Sequence, residues 1–169
     1  GTTTTNDASS TGVGTIDSVY QVNTKAGFSI VLYTGTGSAG TIAHGLGAVP
    51  KWYFIRRRSN TGHMEVYHAE NTSAPATEHL RLSANSATED DAQYFNDTDP
   101  TSTVFSIGDH VNVNASANTY VAYVFAEVKG FSKFGFYSGN GNANGAFVFC
   151  GFRPAFCIVK RTDSANQWS

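Results

Sequence analysis

The chain has 169 residues, 13 acidic and 11 basic side chains and a net charge of −2. So even a balance argues against a nucleic-acid groove or an anionic-membrane surface as the working face. Charged residues reach only 14 %, while Gly, Ser, Thr and Asn fill 65 positions. That is the composition of short strands and tight turns, not of helices, which need the Leu, Glu, Lys and Met that are scarce here.

Gly1–Ala26 is rich in Thr, Ser and Asn and holds a single strand-like patch, Thr15–Val22. It reads as a linker or as the last strand of a preceding domain. The opening Gly1-Thr2-Thr3-Thr4-Thr5 reads like the interior of a longer protein. Phe28–Tyr33 is a β-rich run ending in a glycine turn. Trp52–Arg57 follows Pro50, with Trp52, Phe54 and Arg56 on one face and Tyr53, Ile55 and Arg57 on the other. Met64–His68, His79–Leu82, Thr103–Ile107 and His110–Asn114 are shorter strand candidates. Thr77–Ser83 or Thr88–Tyr94 could make one helical turn. Tyr120–Val128 is the strongest strand, apolar on both faces for most of its length, and so should be central and covered on both sides. Phe147–Cys150 and Phe156–Lys160 repeat the style.

The chain also repeats itself. Gly27-Phe28-Ser29 recurs as Gly130-Phe131-Ser132, 103 residues later. Tyr33, Gly35, Gly37 and Ala39 recur as Tyr137, Gly139, Gly141 and Ala143, and Gly47, Pro50 and Arg57 as Gly151, Pro154 and Arg161, all at an offset of 104. Residues 27–129 then form one complete β unit. Residues 130–169 are the first part of a second unit that stops before any counterpart of Val66–Val128. Truncation, processing or completion by a neighbouring subunit would each explain the stop, with truncation ranked first. The expected fold is all-β: an antiparallel β-sandwich, Ig-like or jelly-roll-like, in tandem, with the second unit incomplete.

Little in the chain suggests chemistry. His44, His63, His68, His79 and His110 show no metal-ligand spacing. His44, inside Ala43-His44-Gly45-Leu46-Gly47, should serve a turn hydrogen bond. Acidic residues gather at Asp90 and Asp91 and at Asp97 and Asp99. Calcium is the one cofactor such loops could serve, yet neither matches an EF-hand loop, and acidic turns are usually just solvated. No Gly-x-Ser-x-Gly elbow and no complete phosphate loop occurs. Arg56-Arg57-Arg58 would alternate between faces. Cys150 and Cys157 align with Leu46 and Tyr53 and read as buried free thiols. Trp52 and Tyr53 could stack on sugars, but Trp52 aligns with Phe156, which suits a core position better.

The string Gly27–Ser38, then Ala43–Lys51, Phe95–Ser106, Tyr120–Glu127 and Gly151–Phe156, resembles a repeated domain of tailed-bacteriophage structural proteins. The resemblance implies a non-enzymatic virion-surface component: a tail fibre, tail-associated or capsid-decoration segment. Its partners would be other virion subunits, itself included as a homo-oligomer, and a host surface glycan; it carries over no catalytic, cofactor or ligand residue. A carbohydrate-binding adhesin module and a glycan-cleaving tail enzyme are the alternatives. Neither nucleic acid nor membrane insertion is expected.

Overall fold

The computed structural model describes residues 1–169. Ten strands and three one-turn helices follow in order: β1 (Thr3–Asn6), α1 (Ala8–Thr11), β2 (Ser18–Asn23), β3 (Phe28–Thr34), β4 (Gly40–Ala43), β5 (Trp52–Arg57), β6 (Met64–His68), β7 (Glu78–Arg81), β8 (Glu89–Asp90), α2 (Ala92–Phe95), β9 (Val104–Ile107), α3 (Val111–Asn114) and β10 (Thr119–Phe125). A single 3₁₀ turn, Pro75–Thr77, leads into β7. No helix is long and apolar enough to cross a membrane.

Eight strands form one antiparallel sheet in the order β1-β2-β3-β10-β5-β6-β7-β8, and β4 pairs with β9 in a second, two-stranded sheet. The protein is therefore all-β, an antiparallel sandwich with layers of unequal size. Strand alternation builds the core. Val31 and Tyr33 of β3, Tyr120, Ala122 and Val124 of β10, and Tyr53 and Ile55 of β5 point inward. They meet Ile42 of β4, Phe105 and Ile107 of β9, Tyr94 and Phe95 of α2 and Val113 of α3 in one apolar cluster. Tyr53, Tyr67, Phe95 and Phe105 pack ring against ring, with centroids 4.7–5.8 Å apart.

β10 is central, lying between β3 and β5 as its apolar length requires. Only its inner face is sealed: Val121, Tyr123 and Phe125 on the other side are half-buried. His110–Asn114 is not a strand but the cap and turn of α3. The His110 ring accepts from the Asn112 amide, and the buried Asn114 side chain donates to the carbonyls of Ser38 and Gly108. Those bonds satisfy a wound backbone better than a ladder would.

Residues 1–26 join the main sheet. β2 pairs with β3 from Ser18↔Tyr33 to Asn23↔Phe28, and Ile16 enters the core. The second copy of the repeat behaves differently. Residues 130–169 contain no strand, so Phe131–Tyr137 and Phe28–Thr34 trace different backbones, and Phe147–Cys150 and Phe156–Lys160 are not strands either. The shared motif does not give a tandem of equal units, because β3 is a strand only through its neighbours β2 and β10. Both edges of β10 are occupied by β3 and β5, which leaves nothing there for residues 131–137 to pair with.

Candidate functional site

Two features stand apart from ordinary core packing. The first is the outer face of the main sheet. Phe28 of β3, Tyr123 and Phe125 of β10, and Trp52 and Phe54 of β5 share that face, because β10 pairs Phe125 with both Phe28 and Trp52, and Tyr123 with Phe54. Their rings form a continuous stripe. Phe28 and Phe125 lie 4.7 Å apart, Trp52 and Phe125 5.0 Å, Trp52 and Phe54 5.2 Å, and Phe54 stacks on Tyr123 at 4.9 Å. From beyond the sheet, Phe134 leans on Trp52 and Phe125 at 6.3 and 6.4 Å. All five sheet rings stay partly open. Cross-strand aromatic pairs stabilise the sheet by a few tenths to about 1 kcal/mol each, and the open ring faces remain free to meet a partner.

The second feature is a polar cluster under β6, β7, α2 and α3. The register puts Glu65 opposite Arg81 and His79 opposite Glu89. Glu65 is fully buried and His79 is 1 % exposed. The Arg81 guanidinium donates to Glu89 at 2.7 Å and to the Tyr94 hydroxyl at 3.3 Å, and the Asn112 amide donates to Glu65 Oε1 at 2.8 Å. The Tyr94 ring lies between those of His79 (3.7 Å) and His110 (4.2 Å). Glu65 Oε2 sits 3.5 Å from Arg81 Nε and 3.7 Å from His79 Nε2, too far for hydrogen bonds.

Burial governs the protonation here. It pushes the Glu65 carboxyl up to about 7, against the weaker pull of Asn112 and Arg81. Burial and then the Arg81 charge bring His79 down to about 4. Near pH 6 both groups are therefore neutral, and their 3.7 Å approach is not an ion pair. Arg81 and Glu89 carry the charge.

One comparison with known proteins bears on this chain: the family model described as Domain of unknown function (DUF7483) matches residues 3–169. The chain belongs to the DUF7483 family. The match runs through both the ten-stranded part and the strandless segment after it. No curated protein and no solved structure matches.

In this DUF7483 chain the acidic residues suggested for calcium do different things. Asp91 caps α2 through the Gln93 amide, Asp90 lies in β8, Asp99 accepts from the Tyr67 hydroxyl at 3.2 Å, and Asp97 is exposed at a positive φ of 45°. No group of three His, Cys, Asp or Glu side chains is placed to hold a metal ion. His44 serves its turn as expected, accepting from the Leu46 amide at 3.1 Å and meeting the Thr101 carbonyl at 3.2 Å. Trp52, which suited a core position better, faces outward, and Tyr53, the other sugar-stacking candidate, is wholly buried. Cys150 and Cys157 are free but not buried, because the segment carrying them packs against no sheet. The polar cluster escaped sequence reading, although a signal existed. Two expected strands, Met64–His68 and His79–Leu82, carry Glu65, His79 and Arg81 at alternating positions, which aims all three at one face.

Proposed function

We propose that this chain is a structural module of a tailed-phage virion surface, part of a tail fibre, a tail-associated protein or a capsid decoration, acting by assembly and adhesion and not by catalysis. The observation that carries this reading is the open aromatic stripe of Phe28, Trp52, Phe54, Tyr123 and Phe125 on a broad antiparallel sheet. A half-exposed aromatic face on a rigid support suits a docking surface for neighbouring subunits. The non-catalytic part of the reading is supported by Glu65 and His79. They are the groups whose protonation is most useful for acid–base work, and they are shut away from any substrate.

An antibody raised against the chain is expected to label the tail or capsid surface of purified particles by immunogold electron microscopy. Label confined to the soluble fraction of a lysate would overturn the reading. The stripe also favours a second reading, a carbohydrate-binding module, since Trp52, Phe54 and Tyr123 offer ring faces to a sugar. Saturable binding on a glycan array that Trp52→Ala abolishes would move the assignment there.

A further inference from the structure

The end of the described chain grips the far edge of the main sheet. Val159 and Ser169 exchange backbone hydrogen bonds at 2.7 and 3.0 Å, closing a loop. That loop seats on β7 and the turn after it. The Thr88 amide donates to the Thr162 carbonyl at 2.9 Å, the Asn166 amide to the Asn85 carbonyl at 2.7 Å, and the Trp168 indole to the Arg81 carbonyl at 2.8 Å. The loop thereby pairs backbone groups at the end of β7 and in the turn leading to β8.

Residues 135–158, which lead to this clamp, are held by almost nothing. Every hydrogen bond they make is internal, such as Asn140 to Asn144, and they form no strand. They also carry most of the protein's exposed aromatic surface: Phe136 is 75 % exposed, Phe147 89 %, Phe149 76 % and Phe156 79 %. Apolar exposure on this scale marks an interaction surface. A fully extended segment of this length reaches roughly 80 Å, enough to cross to a second molecule.

We propose that the clamp of residues 159–169 is exchanged between two copies of the chain, each copy's clamp seating on the other's Arg81–Thr88 edge. The clamp makes the same hydrogen bonds whether it closes on its own sheet or on the second copy's. The difference lies in the connecting segment. Closure within one chain is favoured by proximity but leaves the four phenylalanines in water. Exchange lays two such segments side by side and buries them against each other. Residues 130–143 carry the Gly-Phe-Ser and Tyr-x-Gly-x-Gly pattern of residues 27–39, which includes β3 and forms a strand once it has antiparallel neighbours. The second copy supplies such a neighbour. The exchange does not depend on where on a virion the chain resides, so its failure would leave the proposed function standing.

The test traps the contact between residues paired across the edge. In a background of Cys150→Ser and Cys157→Ser, Thr88→Cys is placed on one tagged copy and Thr162→Cys on another, and the two are co-expressed and oxidised. A covalent heterodimer on a non-reducing gel, with a dimer mass by light scattering, is the expected result. A chain carrying both cysteines that yields only an internally bridged monomer, at all concentrations, would overturn the exchange, as would the absence of any bridge. Phe147→Ser with Phe149→Ser should weaken dimerisation at least tenfold. An unchanged dimer in that variant would overturn the segment's part in it.

Discussion

Glu65 and His79 take opposite protons on folding. Glu65 moves from an ordinary 4.5 to about 7, so between these pH values the folded carboxyl holds a proton that the unfolded one has lost, and stability falls as pH rises. His79 moves from 6.5 to about 4, so between these values the unfolded ring holds a proton that the folded ring refuses, and stability rises with pH. From about 4.5 to 6.5 the two slopes cancel, and urea stability of the native chain should be nearly flat as far as this pair decides it. Glu65→Gln is expected to expose the histidine slope, a gain of up to about 1.4 kcal/mol per pH unit between pH 4 and 6.5. His79→Asn should expose the opposite slope between 4.5 and 7. A flat Glu65→Gln profile in urea titrations would mean that the folded His79 ring takes up its proton as readily as the unfolded one. Two buried tyrosines make a second contrast. Tyr33 donates to the Val113 carbonyl at 2.6 Å, whereas the Tyr53 hydroxyl has no partner. Tyr33→Phe should cost about 1–2 kcal/mol in chemical denaturation, and Tyr53→Phe about nothing or less than nothing, since it removes a buried unpaired group.

Among the elements, α2 depends on one glycine. The Gly108 amide donates to the Tyr94 carbonyl and the His110 amide to the Gln93 carbonyl, so the end of β9 lies directly against the helix. A Cβ at position 108 would overlap the Gln93 carbonyl. Gly108→Ala should therefore cost on the order of 3 kcal/mol, lifting Tyr94 and Phe95 from the core, with a loss of near-UV circular dichroism as the readout. This contact was not legible in the sequence, where Gly108 is one of 17 glycines. The strands were more readable: Trp52–Arg57 and Met64–His68 fall where alternation puts them, and β3 runs one residue further than expected. β1 was missed because three threonines and an asparagine carry no alternation, and β4 because its Gly40-Thr41 start resembles the glycine turn before it. The aromatic stripe was half legible. Alternation put Trp52 with Phe54 and Tyr123 with Phe125, but only the strand order shows that β3, β10 and β5 bring them onto one open face.

At the scale of the whole molecule the protein divides into a packed sandwich and a segment with no structure-wide hold. Phe147 and Phe149 of that segment stand open to water, whereas Tyr53, Phe95 and Phe105 are buried inside the sandwich. Brief chymotrypsin treatment followed by mass spectrometry should find Phe147 or Phe149 cut before any bond between Gly27 and Phe125, because local opening there costs little. Early cleavage within the sheet would contradict this division. The sheet order has a further consequence for how the chain comes to be made. β10 is the last strand in sequence, yet it sits in the middle. Until Phe125 has been synthesised, a nascent chain holds two separate half-sheets, β1-β2-β3 and β5-β6-β7-β8, each with a raw apolar edge where β10 belongs. Those edges are sticky templates for other unfinished chains. Dense translation of one message should thus favour mispairing between neighbours on a polysome, and slower elongation or a holding chaperone should raise the yield of native protein.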